Sequence, residues 1–166
     1  MADGEDVKDL VPEDSRIRLL HLGGGDPLSI GEKRNFGCER ARGSVICTWD
    51  DDDYSAPHRI QNQVLRLMVS GRAVTGYKSM RFTDGAQWWL YQGAPNYALG
   101  TSLCYQKGWW IDHRFPALQV AEDNRFVEMA AAAGQLTTVD ACELMYATNH
   151  AGNTSPRNMG TAWKRL

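Results

Sequence analysis

Four consecutive carboxylates, Asp50 to Asp53, follow directly on the apolar run Val45-Ile46-Cys47-Thr48-Trp49. That run is β-branched and aromatic enough to form a buried strand. Four acids at the lip of such a strand repel one another, so a fold that keeps them there must supply positive charge. A hard divalent cation, Mg²⁺ or Mn²⁺, is the counter-charge that oxygen ligands select. The bland alternative is a solvated acidic loop. An EF-hand loop is excluded: counted from Asp50, the sixth position is Ser55 rather than Gly and the twelfth is Gln61 rather than Glu.

The flanking patterns set the fold class. Arg16 to Leu22 alternates as a strand does, and Gly23 to Pro27 has loop composition. Ser29 and Glu32 form the capping-box pattern of a helix that runs to about Arg42 and closes at Gly43. Pro57 suits a first helical position, and Ile60, Val64, Leu67 and Met68 make one apolar face before Gly71. This strand–helix–strand–helix order predicts an α/β half with parallel strands. Beyond it, Val74–Phe82, Gln87–Tyr91 and Leu99–Gln106 are short and aromatic, as antiparallel strands are. A third helix is expected over Asp123–Ala133, a last mixed strand over Thr137–Thr148, and a polar irregular tail from Asn149.

Composition narrows the classes further. At 166 residues and 43% hydrophobic, the chain can bury one core, and a single domain over 1–166 is expected. A net charge of −2 gives no general attraction to nucleic acid or anionic membrane. No apolar run reaches the ~18 residues of a membrane span. Asp3, Glu5 and Asp6 make the start acidic where a secretory leader would be basic and then apolar. The cysteines Cys38, Cys47, Cys104 and Cys142 lack CxxC spacing, which predicts reduced thiols and a cytoplasmic location. The pairs Trp88-Trp89 and Trp109-Trp110 suggest a surface for flat rings as well as core packing.

Three further features bear on chemistry. Glu122-Asp123-Asn124 opens a helix, where an acid is either a cap or a positioned general base. Lys33-Arg34-Asn35 sits in the first turns of the capped helix; cations there oppose the helix dipole but suit phosphate oxygens. His150 is a lone late histidine and a candidate metal ligand.

Taken in order, these segments resemble the family 2 inverting glycosyltransferases with the GT-A fold. Asp3-Gly4 resembles the end of the family's "DDG" strand, and Gly31-Glu32-Lys33-Arg34-Asn35 its "G-x-x-RN" helix. Ile46 to Tyr54 resembles the "hhxWDDDDW" form of the DxD motif, and Pro57 to Gln63 matches "P-x-R-hxxQ". Leu99 to Tyr105 resembles the small-residue acceptor-side segment, and Glu122-Asp123-Asn124 the ED motif.

The resemblance implies an α/β, Rossmann-like three-layer sandwich, with a nucleotide-binding half over 1–72, an acceptor-side half over 73–148 and a tail over 149–166. It implies Mn²⁺ or Mg²⁺ held by Asp50, Asp52 and Asp53, with His150 a further candidate, and Asp123 as general base beside Glu122. Asp3, Lys33, Arg34, Asn35, Asp50, Asp51, Gly100, Thr101 and Ser102 would contact a nucleotide-diphospho-sugar donor, a UDP-sugar in the first instance. Attack by an acceptor hydroxyl on the anomeric carbon would then expel the nucleoside diphosphate with inversion. The acceptor stays open among glycan, lipid, protein and modified DNA base. The family's first strand–helix unit and most of its second strand have no counterpart here, a truncation that a homo-oligomer could complete. Two other readings are an inactive nucleotide- or sugar-binding remnant or scaffold, and a metal-dependent nucleotidyltransferase, which releases pyrophosphate.

Overall fold

The computed structural model describes residues 7–22, 27–141, 143–153 and 163–166. Asp3 and Cys142 lie outside them. In chain order the elements are α1 (Ile30–Arg40), β1 (Val45–Cys47), β2 (Tyr54–Ser55), α2 (Arg59–Ser70), β3 (Val74–Thr83) and β4 (Trp88–Gln92). There follow β5 (Cys104–Gln106), α3 (Lys107–Asp112), α4 (Glu122–Ala132), β6 (Leu136–Asp140), β7 (Met145–Thr148) and β8 (Trp163–Arg165). Short 3-10 turns stand at Lys8–Leu10 and Gly100–Ser102.

All the strands join one mixed sheet with β3 as its spine. β5 pairs with residues 74–75 and β4 with residues 79–83 of β3, both antiparallel. On the other edge β6 and then β7 run parallel to it. The β3–β4 turn is set by Asp84, whose Oδ1 accepts the amides of Ala86 (2.9 Å) and Gln87 (2.7 Å), with Gly85 at φ 90°. Helices cover both faces. α2 lies on one, where the Arg59 charge reaches Tyr77. On the other, Phe126, Val127 and Ala130 of α4 pack with Val74, Leu103, Tyr105, Trp110 and Phe115. A second cluster, Tyr77, Met80, Phe82, Leu99, Met145 and Ala147, fills the far end of the sheet.

The capping box forms as expected: the Ser29 amide donates to Glu32 Oε2 at 2.8 Å, and Ser29 Oγ accepts the Glu32 amide. Several expectations need correction. Arg16–Leu22 forms no strand, because no ladder partner lies alongside, and β1 pairs with β5 in antiparallel register. Parallel pairing belongs instead to β3 with β6 and β7. The long strand expected over 137–148 breaks after Asp140, where the Ala141 amide turns to Ser79 O (2.8 Å) beside a register shift in β3. Residues 100–102 coil before β5 because Ser102 Oγ bonds back to Leu99 O (2.7 Å) and accepts the Tyr77 amide (2.8 Å).

α2 buries a face other than the apolar one. Arg59, Gln63 and Leu67 point inward, while Ile60 and Met68 are 48% and 75% exposed. The segment after β1 and the Gly100–Ser102 turn present the carbonyls of Thr48, Thr101 and Ser102 to α2, which only donors satisfy. The Trp109-Trp110 pair lies in the short helix α3, with Trp110 fully buried and Trp109 stacked on His113 at 3.6 Å. No helix among the described residues is long and apolar enough to cross a membrane.

Candidate active site

The site grows from the end of β1. Thr48 fastens it: its amide bonds Leu103 O (2.8 Å), and its hydroxyl lies 3.0 to 3.1 Å from the carbonyls of Gly100, Thr101 and Leu103. The acidic loop beyond therefore leaves the sheet beside the Gly100–Ser102 turn. Asp53 folds back into the protein, taking the Thr101 hydroxyl on Oδ2 (2.5 Å) and the Thr148 amide on Oδ1 (3.0 Å). Burial holds its carboxyl above the usual range, against the opposing pull of those two hydrogen bonds. Asp50, Asp52 and Asp53 each bring one carboxylate oxygen within 4.8 Å of the others. Three hard anionic oxygens so close are the donor set for Mg²⁺ or Mn²⁺, and a carboxyl whose acidity burial has weakened gains from a nearby cation.

Beneath this loop lies Arg59, buried completely and bonded to neutral groups. Its guanidinium donates to Thr48 O (2.8 Å), Thr101 O (3.1 Å), Ser55 Oγ (2.9 Å) and Gln63 Oε1 (3.2 Å). Gln63 in turn donates to Ser102 O at 2.5 Å. One helix thus ties the acidic loop and the Gly100 turn together. The "P-x-R-hxxQ" pattern carried this signal, but nothing in it says that Arg59 faces inward.

Across the cleft, α4 starts abruptly from Ala121, whose φ of 68° is the only positive value among the described non-glycine residues. Such a left-handed alanine is strained, and strain of this kind collects at sites. Glu122 is buried and bonds Arg34 of α1 at 2.9 Å. Glu122, expected as a catalytic group beside Asp123, lines the cleft with its carboxylate held by Arg34. Asp123 remains in the cleft. Its Oδ1 accepts the Asn124 amide (2.7 Å), and Oδ2 sits where a Cβ on Gly100 would stand, 1.7 Å away. Gly100 is glycine so that this carboxylate fits.

The cleft has a volume of about 940 Å³. Lys33, Arg34, Asp50, Asp51, Asp52, Gly100, Thr101, Asp123 and His150 all line it. Two expected contacts do not. The Asn35 amide is spent on Phe115 O (2.8 Å), the Phe115 amide (3.1 Å) and Trp110 Nε1 (2.9 Å), so it braces the loop before α4. Ser102 is wholly buried with its hydroxyl turned into the sheet. His150 reaches the acidic loop: its Nε2 lies 2.9 Å from Asp52 Oδ2, and its Nδ1 accepts the Gly152 amide at 3.1 Å. The accepting Nδ1 leaves the ring proton of a neutral imidazole on Nε2, facing the carboxylate. Asn153 adds a second donor to the same oxygen at 3.2 Å. Asp53 meets Asp50 and Asp52 but is not itself among the residues that line the cleft; Tyr91, Tyr97 and Trp163 line it without having been expected there.

A helix-flanked sheet with an acidic cluster at a strand end, facing a carboxylate at a helix N-terminus, is the GT-A arrangement. The chain belongs to glycosyl transferase family 2, whose model matches residues 3–139. Among solved structures it is similar to S. aureus TarS 1-349 in complex with UDP-GlcNAc: 21% identity, TM-score 0.59, over 76% of this chain and 40% of that one. The same fragment with UDP matches at 21% identity and TM-score 0.56, over 72% and 40%. S. aureus TarS matches at 21% and 0.56, over 72% of this chain and 24% of that one. The chain thus spans well under half the length of these structures. No curated protein matches it significantly.

Proposed function

We propose that the chain is a metal-dependent inverting glycosyltransferase that uses a UDP-sugar. The observation that carries this reading is the cluster of Asp50, Asp52 and Asp53, which presents Asp50 and Asp52 to the cleft that Asp123 also lines. TarS, which shares the fold, is seen with UDP-GlcNAc and with UDP. Asp50, Asp52 and Asp53 hold Mn²⁺ or Mg²⁺, which when bound neutralises the charge building on the departing diphosphate. His150 and Asn153 fix the Asp52 carboxylate by hydrogen bonds. Lys33 and Arg34 face the same phosphates, and Glu122 keeps Arg34 extended. Asp123 takes the proton from the acceptor hydroxyl as its oxygen attacks the anomeric carbon.

The test is a donor screen by thermal shift and turnover with Mn²⁺ present. UDP and Mn²⁺ together should raise the melting temperature, and Asp52→Ala should remove that rise. Asp123→Asn should keep it while lowering turnover at least about a thousandfold. Absence of metal-dependent turnover across UDP- and GDP-sugars sinks the enzyme reading; a retained UDP shift would then mark a binding remnant. Pyrophosphate release would identify nucleotidyl transfer instead.

A further inference from the structure

The first turn of α4 divides the cleft in two. Residues 122 and 124 stand about 200° apart around the helix axis, and their side chains part accordingly. Glu122 goes to Arg34 of α1, while Asn124 Oδ1 accepts the Tyr97 hydroxyl at 3.3 Å. Asp123 lies between them over Gly100. The Arg34 half carries the charge that a metal diphosphate needs. The Tyr97 half is aromatic: the Tyr91 ring lies 6.1 Å from Tyr97 and 5.1 Å from Trp163, centroid to centroid. All three rings back onto the cluster of Tyr77, Phe82 and Leu99 and turn their other side to the cleft. They are held in place before any ligand arrives, so ordering them costs little.

Among the described residues, no Lys or Arg other than Lys33 and Arg34 lines the cleft. Lys164 and Arg165 follow Trp163 in sequence, but Lys164 pairs with Leu90 on the opposite face of the sheet. Arg165 lies opposite Trp89, where its charge is felt by Asp84. A phosphate-rich acceptor or a nucleic acid strand would need cations along its path, and the described residues of this half offer none. A pyranose ring has an apolar C–H face and a rim of hydroxyls, which matches an aromatic wall bordered by Asn124 and Asp123.

We propose that the acceptor is a neutral saccharide whose ring stacks on Tyr91, Tyr97 and Trp163. This rests on the sugar-transfer reading above. The acceptor oxygen forms the new bond to the anomeric carbon and its proton passes to Asp123. The bond from that carbon to the diphosphate oxygen breaks, and its electron pair leaves with UDP.

Saturation-transfer NMR on the full chain, with UDP and Mg²⁺ present, tests the wall directly. The probes are cellobiose, maltose and N,N′-diacetylchitobiose, against glycerol 3-phosphate and a single-stranded oligonucleotide. At least one disaccharide should receive saturation, strongest on its ring C–H protons. Tyr91→Ala and Trp163→Ala should each weaken that binding about tenfold, whereas Trp88→Ala, on the same strand but outside the cleft, should not. A circular-dichroism spectrum matching that of the unsubstituted chain, with a cooperative melt, shows that each variant is folded. The proposal is overturned if none of the disaccharides binds, if only the anionic probes do, or if binding ignores both substitutions. UDP binding without disaccharide binding removes the wall and leaves the transferase reading; wall-dependent disaccharide binding without UDP binding does the reverse.

Discussion

Asp53 and Gly100 show how single residues shape this site. Asp53 is pushed above the ordinary carboxylate range by burial, so the folded metal-free chain keeps its proton where an unfolded chain has released it. Its contribution to stability is therefore present below the ordinary carboxylate value and lost as pH rises through the raised one. Mn²⁺ binding needs the ionised form, so affinity should fall as pH drops through the same window. Asp53→Asn should remove this component from both profiles, read as denaturation midpoints and Mn²⁺ titrations between pH 3.5 and 7. Gly100→Ala is the complementary test. Its methyl group must displace the Asp123 carboxylate, and a displacement of about 1 Å costs on the order of a hundredfold in turnover. UDP affinity should change far less, since Asp50 and Asp52 are untouched; equal losses in both would argue against Asp123 as the base.

At the scale of elements, α2 works as a clamp. Arg59 and Gln63 bind the carbonyls of Thr48, Thr101 and Ser102, which belong to the two segments that must stay in register for Asp53 to meet Thr101. Arg59→Met leaves buried carbonyls without donors and should cost about 2 kcal/mol in chemical denaturation. It should also weaken Mn²⁺ binding, although residue 59 contributes no ligand. Stability loss with unchanged metal affinity would refute the clamp. At its other end α2 stops at Gly71, φ 65°, with the amide on Leu67 O (3.0 Å). Gly71→Ala should cost about 1 kcal/mol from left-handed strain alone, and the site should not register it. α1 has a stricter glycine: a Cβ on Gly31 would stand 1.8 Å from Pro116 O. Gly31→Ala must therefore shift the loop that leads into α4.

For the molecule as a whole, donor binding and folding are linked. The acidic loop, the Gly100 turn, α4 and the residue 148–153 segment come from distant parts of the chain and meet only in the folded state. UDP with Mn²⁺ at a hundred times its Kd should stabilise the fold by about 2.7 kcal/mol. Either component alone should give much less, because the diphosphate and the three carboxylates repel one another without the cation. Equal stabilisation by UDP in EDTA would show that the donor site does not depend on metal.

Local rules carried much of this into the sequence. The apolar run before Asp50 fixed a strand end at the acidic loop, Ser29 and Glu32 marked a helix start, and Gly71 marked a stop, because each depends on neighbours within a few residues. The order of the motifs likewise disclosed the family. What faced what was decided only by tertiary structure. Periodicity grouped Ile60, Val64, Leu67 and Met68 correctly as one helical stripe, yet the carbonyls of Thr48, Thr101 and Ser102 selected the stripe of Arg59 and Gln63 for burial. Asn35 and Ser102 read as contact residues, and the fold spent both on internal partners. The tryptophan pairs were conspicuous in the sequence, but the cleft wall went to Tyr91, Tyr97 and Trp163, brought together by strand pairing across more than seventy residues. Composition records which side chains a chain owns; only long-range pairing and packing determine which of them remain for a ligand.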